Sequence, residues 1–501
     1  MKEQLIIKGQ AGVTVLEVML AFALAVLAIT AAASAAAGIQ LAVLFGQKQN
    51  QAMALAQSAL EQARVLSLAD FSQLQSRPAG PAEDGLVASL DVADIDYFSK
   101  QVVSRVSWSD RSGLKQEIAL PALFTDYPSA KSTDTCQPLL SGDWRHPVIV
   151  NFSLADLLNN PAGTYTVAGL DVYAGKLYAV LAASAGKTAP TFLIFDLANP
   201  ALLKLAAAVD NAPSTSAGPA AVQVAGRYAY LANGYGPNFN SCQQGPACGQ
   251  LQIMDLGGSA PQLVSSFKVP GAYGSGGQAA GASLAYRDGL VYLGLAKTAN
   301  ATGTEFNVIS VGDPASPGWL GGSSIGSVVN ALALQSHYAY LATPNNNLTP
   351  ANDEELSILD IGNPAAPIRV GGFAGSDNQG HGKSLAFYQG RIFFGRTQTN
   401  TQNPELYVLA NKDWPSLQAI AGQKIGSSVN GLMVRSGLAF LATTAGQFQI
   451  WDFSGSSPVR WDEQAVSLPG NGTGLDCEGN TFYAASNDAA GRGFISVINA
   501  Q

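Results

Sequence analysis

The chain repeats itself, and few folds accept a chain that does. The stretch IGSVVNALALQSHYAYLAT, beginning at Ile325, returns as IGSSVNGLMVRSGLAFLAT at Ile425. That interval holds two repeats rather than one, because weaker copies fill it. One apolar strand recurs as LYAVLA at Leu177, YAYLA at Tyr228, VYLGLA at Val291, YAYLA at Tyr338, IFFG at Ile392, LAFLA at Leu438 and FYAA at Phe482. A second strand follows and runs into a turn: FLIFDLANP from Phe192, LQIMDLGGSAP from Leu251, FNVISVGDPASP from Phe306, LSILDIGNPAAP from Leu356, LYVLANKDWP from Leu406 and FQIWDFSGSSP from Phe448. The last copy, FISVINAQ, ends at Gln501. Asp196, Asp255, Ser310, Asp360 and Asp452 close their strands, where a short polar side chain bonds the amides of the next turn. Seven copies, each with room for about four short strands, imply a mainly β chain with a seven-bladed β-propeller over residues 136–501.

The opposite kind of segment stands ahead of the repeats. After MKEQLIIKGQAG comes VTVLEVMLAFALAVLAITAAASAAAGIQLAVLFGQ, in which Glu17 is the only charge from Val13 to Gln47. At about 1.5 Å per residue such a helix spans roughly 50 Å, more than the ~30 Å of a bilayer core. A cleaved secretory signal, a signal-anchor and a buried core helix are the competing readings. The first would end soon after its apolar core, and ASAAAG from Ala33 offers a small-residue site, yet the apolar run continues beyond it. A carboxylate at membrane depth costs several kcal/mol, so Glu17 needs a partner and a task.

Gly12, then Val13-Thr14-Val15-Leu16-Glu17, then an apolar run behind a basic leader, resembles a type IV prepilin. The resemblance implies that a prepilin peptidase cuts between Gly12 and Val13 on the cytoplasmic side and that Val13 is then N-methylated. It also implies that Glu17 meets the terminal amine of a neighbouring subunit during assembly, a neutralisation that makes a buried carboxylate tolerable. Val13 stands where Phe is commoner, and Ser34 where many major pilins carry a helix-kinking Pro, which implies a straighter helix. Residues 1–12 are then the leader and 13–66 the pilin helix.

The segment QNQAMALAQSALEQARVLSLADF continues with a helical stripe at Met53, Leu55, Leu60, Ala63 and Leu66. A Pro/Gly/Ala loop follows at residues 76–85. DYFSKQVVSRVSWSDRSGLKQEIALPALF then reads as a hairpin, with Val103, Val106 and Trp108 on one strand, Ile118 and Leu120 on the other, and Asp110-Arg111-Ser112-Gly113 as the turn. Gln51-Ala52, Leu55-Ala56-Gln57 and Leu60-Glu61, with Val106, Trp108, Asp110 and Gly113, resemble the helix and hairpin of V-type minor pilins and related pseudopilins. A small pilin-like α+β region over 67–135 is expected.

The repeats themselves resemble the LVIVD family, named for an apolar strand that ends in Asp; IFDLANP and ILDIGNPAAP are the closest matches. That resemblance implies a bacterial surface setting and a propeller fold, and little about activity. A propeller closes when an N-terminal strand fills the gap in its last blade. HPVIVNFSL, from His146, is similar to outer strands such as PQLVSSFKV from Pro261, so residues 148–154 are expected to complete the last copy. Cys136 would then lie beside Cys477, and a Cys136–Cys477 disulfide would staple the seam. Cys242 and Cys248 share one loop, NSCQQGPACGQ, and would clip its tip. Four cysteines beyond an export-like segment fit two disulfides; a zinc site lacks the usual ligand spacing.

No catalytic constellation is legible. His146, His337 and His381 are scattered without ligand spacing; His146 reads as strand edge, and His381 lies in the loop GSDNQGHGK, a solvated turn or a binding loop. Asp353, Glu354 and Glu355 read as a solvated loop. No nucleophile motif or phosphate-cradling loop is present in a strand-to-helix context. No metal, cofactor or enzymatic activity is therefore expected. A net charge of −8, with 27 scattered Lys and Arg, offers no stripe for nucleic acid. Charged residues make up 12%, about half the usual share, which suits an exported, turn-rich β surface.

The expected function is that of a minor-pilin-like subunit, held in the inner membrane before assembly and then in an extracellular filament. Its helix would pack against other pilin subunits, and its propeller would bind a surface, glycan or protein. A major pilin whose propellers coat the filament, and a pilin-anchored propeller enzyme, are the alternatives.

Overall fold

The computed structural model of the protein describes residues 15–69, 74–82, 85–96, 99–109, 113–125, 135–136, 140–182, 189–210, 216–235, 249–258, 260–274, 277–296, 303–344, 354–375, 379–399, 402–413, 416–455, 457–463 and 466–501. Gly12, Val13, Cys242, Cys248, Asp353 and the turn residues Asp110, Arg111 and Ser112 lie outside that set. Glu17 is within a helix, but its side chain is not among those described. Two compact units emerge, the first of residues 1–67, 73–93 and 101–124, the second of residues 68–72, 94–100 and 125–501.

The first unit combines helix α1 (Val15–Ala69) with four strands in sequence order, Arg77–Pro81, Val87–Asp96, Ser99–Ser109 and Lys115–Thr125. α1 contains no Pro and is rich in Ala and Leu, the strongest helix formers. Its C-terminal half buries Ala52, Ala56 and Ala63 against Leu86, Leu90, Val102, Val106 and Trp108. The expected stripe is thereby rotated. Of Met53, Leu55, Leu60, Ala63 and Leu66, only Ala63 is fully buried. The physical reason is the sheet: alanines let the helix backbone approach the strands closely, and the bulkier neighbours flank that contact. Among the described residues, no helix is long and apolar enough to cross a membrane; the run expected to do so includes residues 37–45, whose side chains are not described.

The second unit is mainly β. Seven antiparallel sheets follow one another at residues 166–209, 216–267, 280–323, 331–373, 382–423, 429–467 and 471–499. The first five each hold four strands in sequence order, and the fourth and fifth are joined at their outer strands by one parallel pair, Gly372 with Ser416. In the sixth, the outermost position is shared by Val459–Arg460 and Val466–Ser467, both paired with Gln447–Asp452. The seventh takes its outer strand from far upstream: Val148–Ser153 runs antiparallel to Gly493–Asn499, from Val148 opposite Asn499 to Ser153 opposite Phe494. That strand stops one residue short of the expected end, because Leu154 opens a short helix, Leu154–Leu157, and is itself buried.

Local chemistry explains the sheets. Four of the hairpins between first and second strands are two-residue turns with both residues at positive φ, as at Asp288-Gly289 (48° and 80°) and Gln389-Gly390 (48° and 74°). This is the turn whose twist matches that of the strands. The strand-ending aspartates bond the next turn: Asp196, Asp255, Asp360 and Asp452 accept the amides of Ala198, Gly257, Gly362 and Ser454 at 2.7–2.8 Å. Second strands such as Tyr338–Ala342 are buried along their whole length, as strands covered on both faces must be. Seven apolar clusters fill the gaps between successive sheets, and one of them, with Leu177, Phe195, Tyr483 and Ile495, joins the seventh sheet to the first. The first strands are likewise neighbours in a circuit that returns from the seventh sheet to the first.

Candidate functional site

Helix α1 carries the most conspicuous surface. Every described side chain from Met19 to Ala36 is exposed. Met19, Leu20, Phe22, Leu24, Val26, Leu27 and Ile29 are 45–72% exposed, and at 100° per residue they face every direction around the helix. Water does not support such a stretch; a helix apolar all round is one that is covered. Its two hydroxyls are already satisfied within the helix. Thr30 donates to the carbonyls of Val26 and Leu27 at 2.9 Å, and Ser34 to that of Thr30 at 2.8 Å. This is the arrangement an apolar surrounding requires.

The seam of the second unit gathers a different set. Thr135–Cys136 lies parallel to the end of Asn471–Gly479, and Cys136 is joined to Cys477 with a Cα–Cα distance of 5.2 Å. Trp144 packs edge-on against Phe440 and Phe482, each 5.2 Å away. The Asp143 amide donates to the Gln501 carbonyl at 3.0 Å, and the Gln501 amide donates back at 3.2 Å. His146 contacts Asp143 through Nδ1 at 2.8 Å and Glu463 through Nε2 at 3.1 Å. Those two carboxylates raise its pKa above the ordinary imidazole value. Among the described residues, the one grouping of metal-ligand types is Cys136, Asp476 and Cys477, and the disulfide occupies both of its sulfurs.

A belt of buried carboxylates recurs every fifty residues. Glu305, Glu355 and Glu405 each directly precede the third strand of their sheet and are at most 1% exposed. Glu305 Oε2 accepts the amides of Ile325 and Gly326 at 2.7 and 3.0 Å; Glu405 Oε2 accepts those of Ile425 and Gly426 at the same distances. Glu355 instead meets Arg396 at 2.7 Å, with both side chains fully buried. Arg396 also lies 5.6 Å from the Tyr407 ring centre, and Gly375 and Gly380 leave the room its guanidinium fills. The acidic run is thus not a solvated loop: Glu355 is internal, and Glu354 pairs with Arg369 at the surface. Strand alternation separates these neighbours onto opposite sides. The spacing at 305, 355 and 405 was the available signal.

The histidines are not brought together. His146 sits at the seam, and the His337 ring centre lies 3.9 Å from that of Tyr338 in the fourth sheet. His381 bridges to Pro344 ahead of the fifth sheet; its amide donates to the Thr397 hydroxyl and its carbonyl accepts the Thr397 amide, both at 2.9 Å. Burial lowers the His381 pKa, and the charges of Lys383 and Arg396 lower it further. Its Nδ1 is buried without a partner among the described residues.

The innermost strands carry a further line of polar side chains, none singled out by the sequence. Asp476 accepts the Val172 amide at 2.6 Å, Asp171 that of Val224 at 2.7 Å, Gln223 that of Tyr286 at 2.5 Å and Glu478 that of Gly175 at 2.6 Å. A first strand has one unpaired edge, and these side chains from the preceding sheet satisfy it. Burial raises the Asp171 pKa well above the ordinary range, and the charge of Asp476 adds to the rise. Throughout this unit, polar side chains stitch sheet to sheet.

The LVIVD repeat model matches residues 328–374, the span of the fourth sheet and the segment leading into it. This repeat type is seen in β-propeller-like proteins. No curated protein matches the chain. Among solved structures, a computationally designed protein, Ika8, is similar at 13% identity and a TM-score of 0.40, covering 66% of this chain and 96% of its own.

Proposed function

We propose that this chain is a minor-pilin-like subunit that inserts its N-terminal helix into a filament and displays a seven-bladed, LVIVD-type β-propeller for adhesion or surface binding. The observation that carries the reading is the bare apolar stretch of α1, residues 19–36, on the helix whose later turns are covered by their own sheet. A filament core of parallel helices would cover such a stretch on all sides, and the inner membrane would hold it beforehand. The motif of Gly12, Val13 and Glu17 supplies the processing and assembly chemistry. The propeller reading draws on seven successive sheets, seven apolar clusters between them and an outer strand supplied from upstream.

Mass spectrometry of the N-terminus of the protein from its native cells tests the processing step. The expected mature chain begins at methylated Val13, and Gly12→Ala leaves the leader attached. An intact leader in the native protein, or a cut after Ala37, removes the pilin reading. Glu17→Ala is expected to keep cleavage and lose incorporation into filaments.

A further inference from the structure

At the seam Thr135–Cys136 is held in two unequal ways, by a two-residue pairing with Glu478 and Gly479 and by a covalent bond to Cys477. We propose that the Cys136–Cys477 disulfide is a mechanical clasp: it carries tension from the N-terminal segment into the innermost strand of the last sheet, and so shields the outer strand that closes the ring. The argument starts from direction. Val148–Ser153 is antiparallel to Gly493–Asn499, with Val148 opposite Asn499. Without the disulfide, tension arriving along the chain would first strip the contacts of residues 140–146 with Ser436, Asn480, Gln501 and Glu463, then reach Val148 and break the six residue pairs one after another. The shorter pairing of Thr135–Cys136 with Glu478 and Gly479 offers two residue pairs and little resistance.

The disulfide changes where the load enters. At Cys136 tension passes covalently to Cys477, in a strand paired with Thr481–Asn487 from Asn471 to Glu478. The anchors at residues 140–146 then bear no load, and Val148–Ser153 is not peeled. Cys477 is buried beside Trp144, Phe440 and Phe482, so the load is received in the apolar core between the sixth and seventh sheets. The source of tension, a filament pulling on a bound propeller, rests on the proposed function; the load path does not.

Single-molecule pulling tests the clasp on the full chain, with one handle at the N-terminus and one inserted in the exposed turn at residues 198–202 of the first sheet. The oxidised protein is compared with a C136S/C477S double variant, which leaves Cys242 and Cys248 untouched. The double variant is expected to show an added low-force step, releasing roughly 60 Å, the contour of residues 137–153 at about 3.6 Å each. The oxidised protein lacks it. The same first step in both proteins, or no added step in the variant, overturns the proposal. Should circular dichroism show the variant unfolded, reductant is added to the oxidised protein held at low force: the step then appears if the clasp exists and stays absent if it does not. Neither result depends on where the protein sits in a filament, so the clasp and the filament reading fail separately.

Discussion

Arg396 and Glu355 show how much one residue can hide in a sequence. An arginine at a strand end and a glutamate in an acidic run both suggest surface, yet both are fully buried and paired at 2.7 Å. Breaking such a pair is costlier than never having it. Arg396→Ala is expected to lose about 3–5 kcal/mol, read from chemical denaturation, against less than about 1 kcal/mol for Arg369→Ala, whose partner Glu354 is near the surface. Equal losses would place the Arg396 pair in water. Asp171 makes the converse prediction. Its folded pKa is raised above the ordinary 3.8, so its contribution is most favourable below that value and is lost as pH rises through the folded pKa. Asp171→Asn keeps an acceptor for the Val224 amide and is expected to gain on the order of 1 kcal/mol at pH 7, a gain that vanishes near pH 3. A variant less stable than the parent at pH 7 would contradict this. His146 is raised as well, by Asp143 and Glu463. Its contribution is complete below the ordinary 6.5 and is lost as pH rises through the folded value, so His146→Ala is expected to flatten the melting temperature across that window. Apart from Asp143, three residues from His146, these partners could not be read from sequence, because each lies far along the chain from its mate or depends on which side of a strand a residue takes.

At the scale of elements, periodicity told more. The second and third strands of each repeat are mostly apolar and buried nearly throughout, and such runs have one use in a stack of sheets. The aspartates at their ends were legible as turn acceptors because they recur with the turn, and four of them accept an amide two residues on. Helix α1 was legible as a helix but not in its facing. Large apolar residues drew the stripe, whereas Ala52, Ala56 and Ala63 are the helix residues buried completely against the sheet. Small residues carry little hydrophobic signal, and only the sheet reveals that closeness was needed. Ala56→Leu is expected to cost about 1–3 kcal/mol by overpacking against Leu86 and Trp108, while Gln57→Leu, one residue away and exposed, leaves stability within about 0.5 kcal/mol. Thermal melting of the full chain, followed by Trp fluorescence, distinguishes the two.

For the whole molecule, the closing strand was legible because Val148–Ser153 looks like an outer strand that lacks a sheet, and Gly493–Asn499 like a sheet edge that lacks a strand. The disulfide beside it spans a sequence separation of 341 residues. In the chain-entropy view so long a loop contributes about 5 kcal/mol, so the C136S/C477S variant is expected to melt well below the oxidised parent. The partner of the bare helix was not legible beyond resemblance, since an apolar surface names a solvent rather than a molecule. Immunogold labelling of the repeated unit on sheared surface filaments tests the central claim most directly. Gold at filament ends is the result predicted for a minor pilin that presents a binding domain. Gold along the whole shaft would make the chain a major, structural subunit, and gold on cell envelopes with none on filaments would contradict the account.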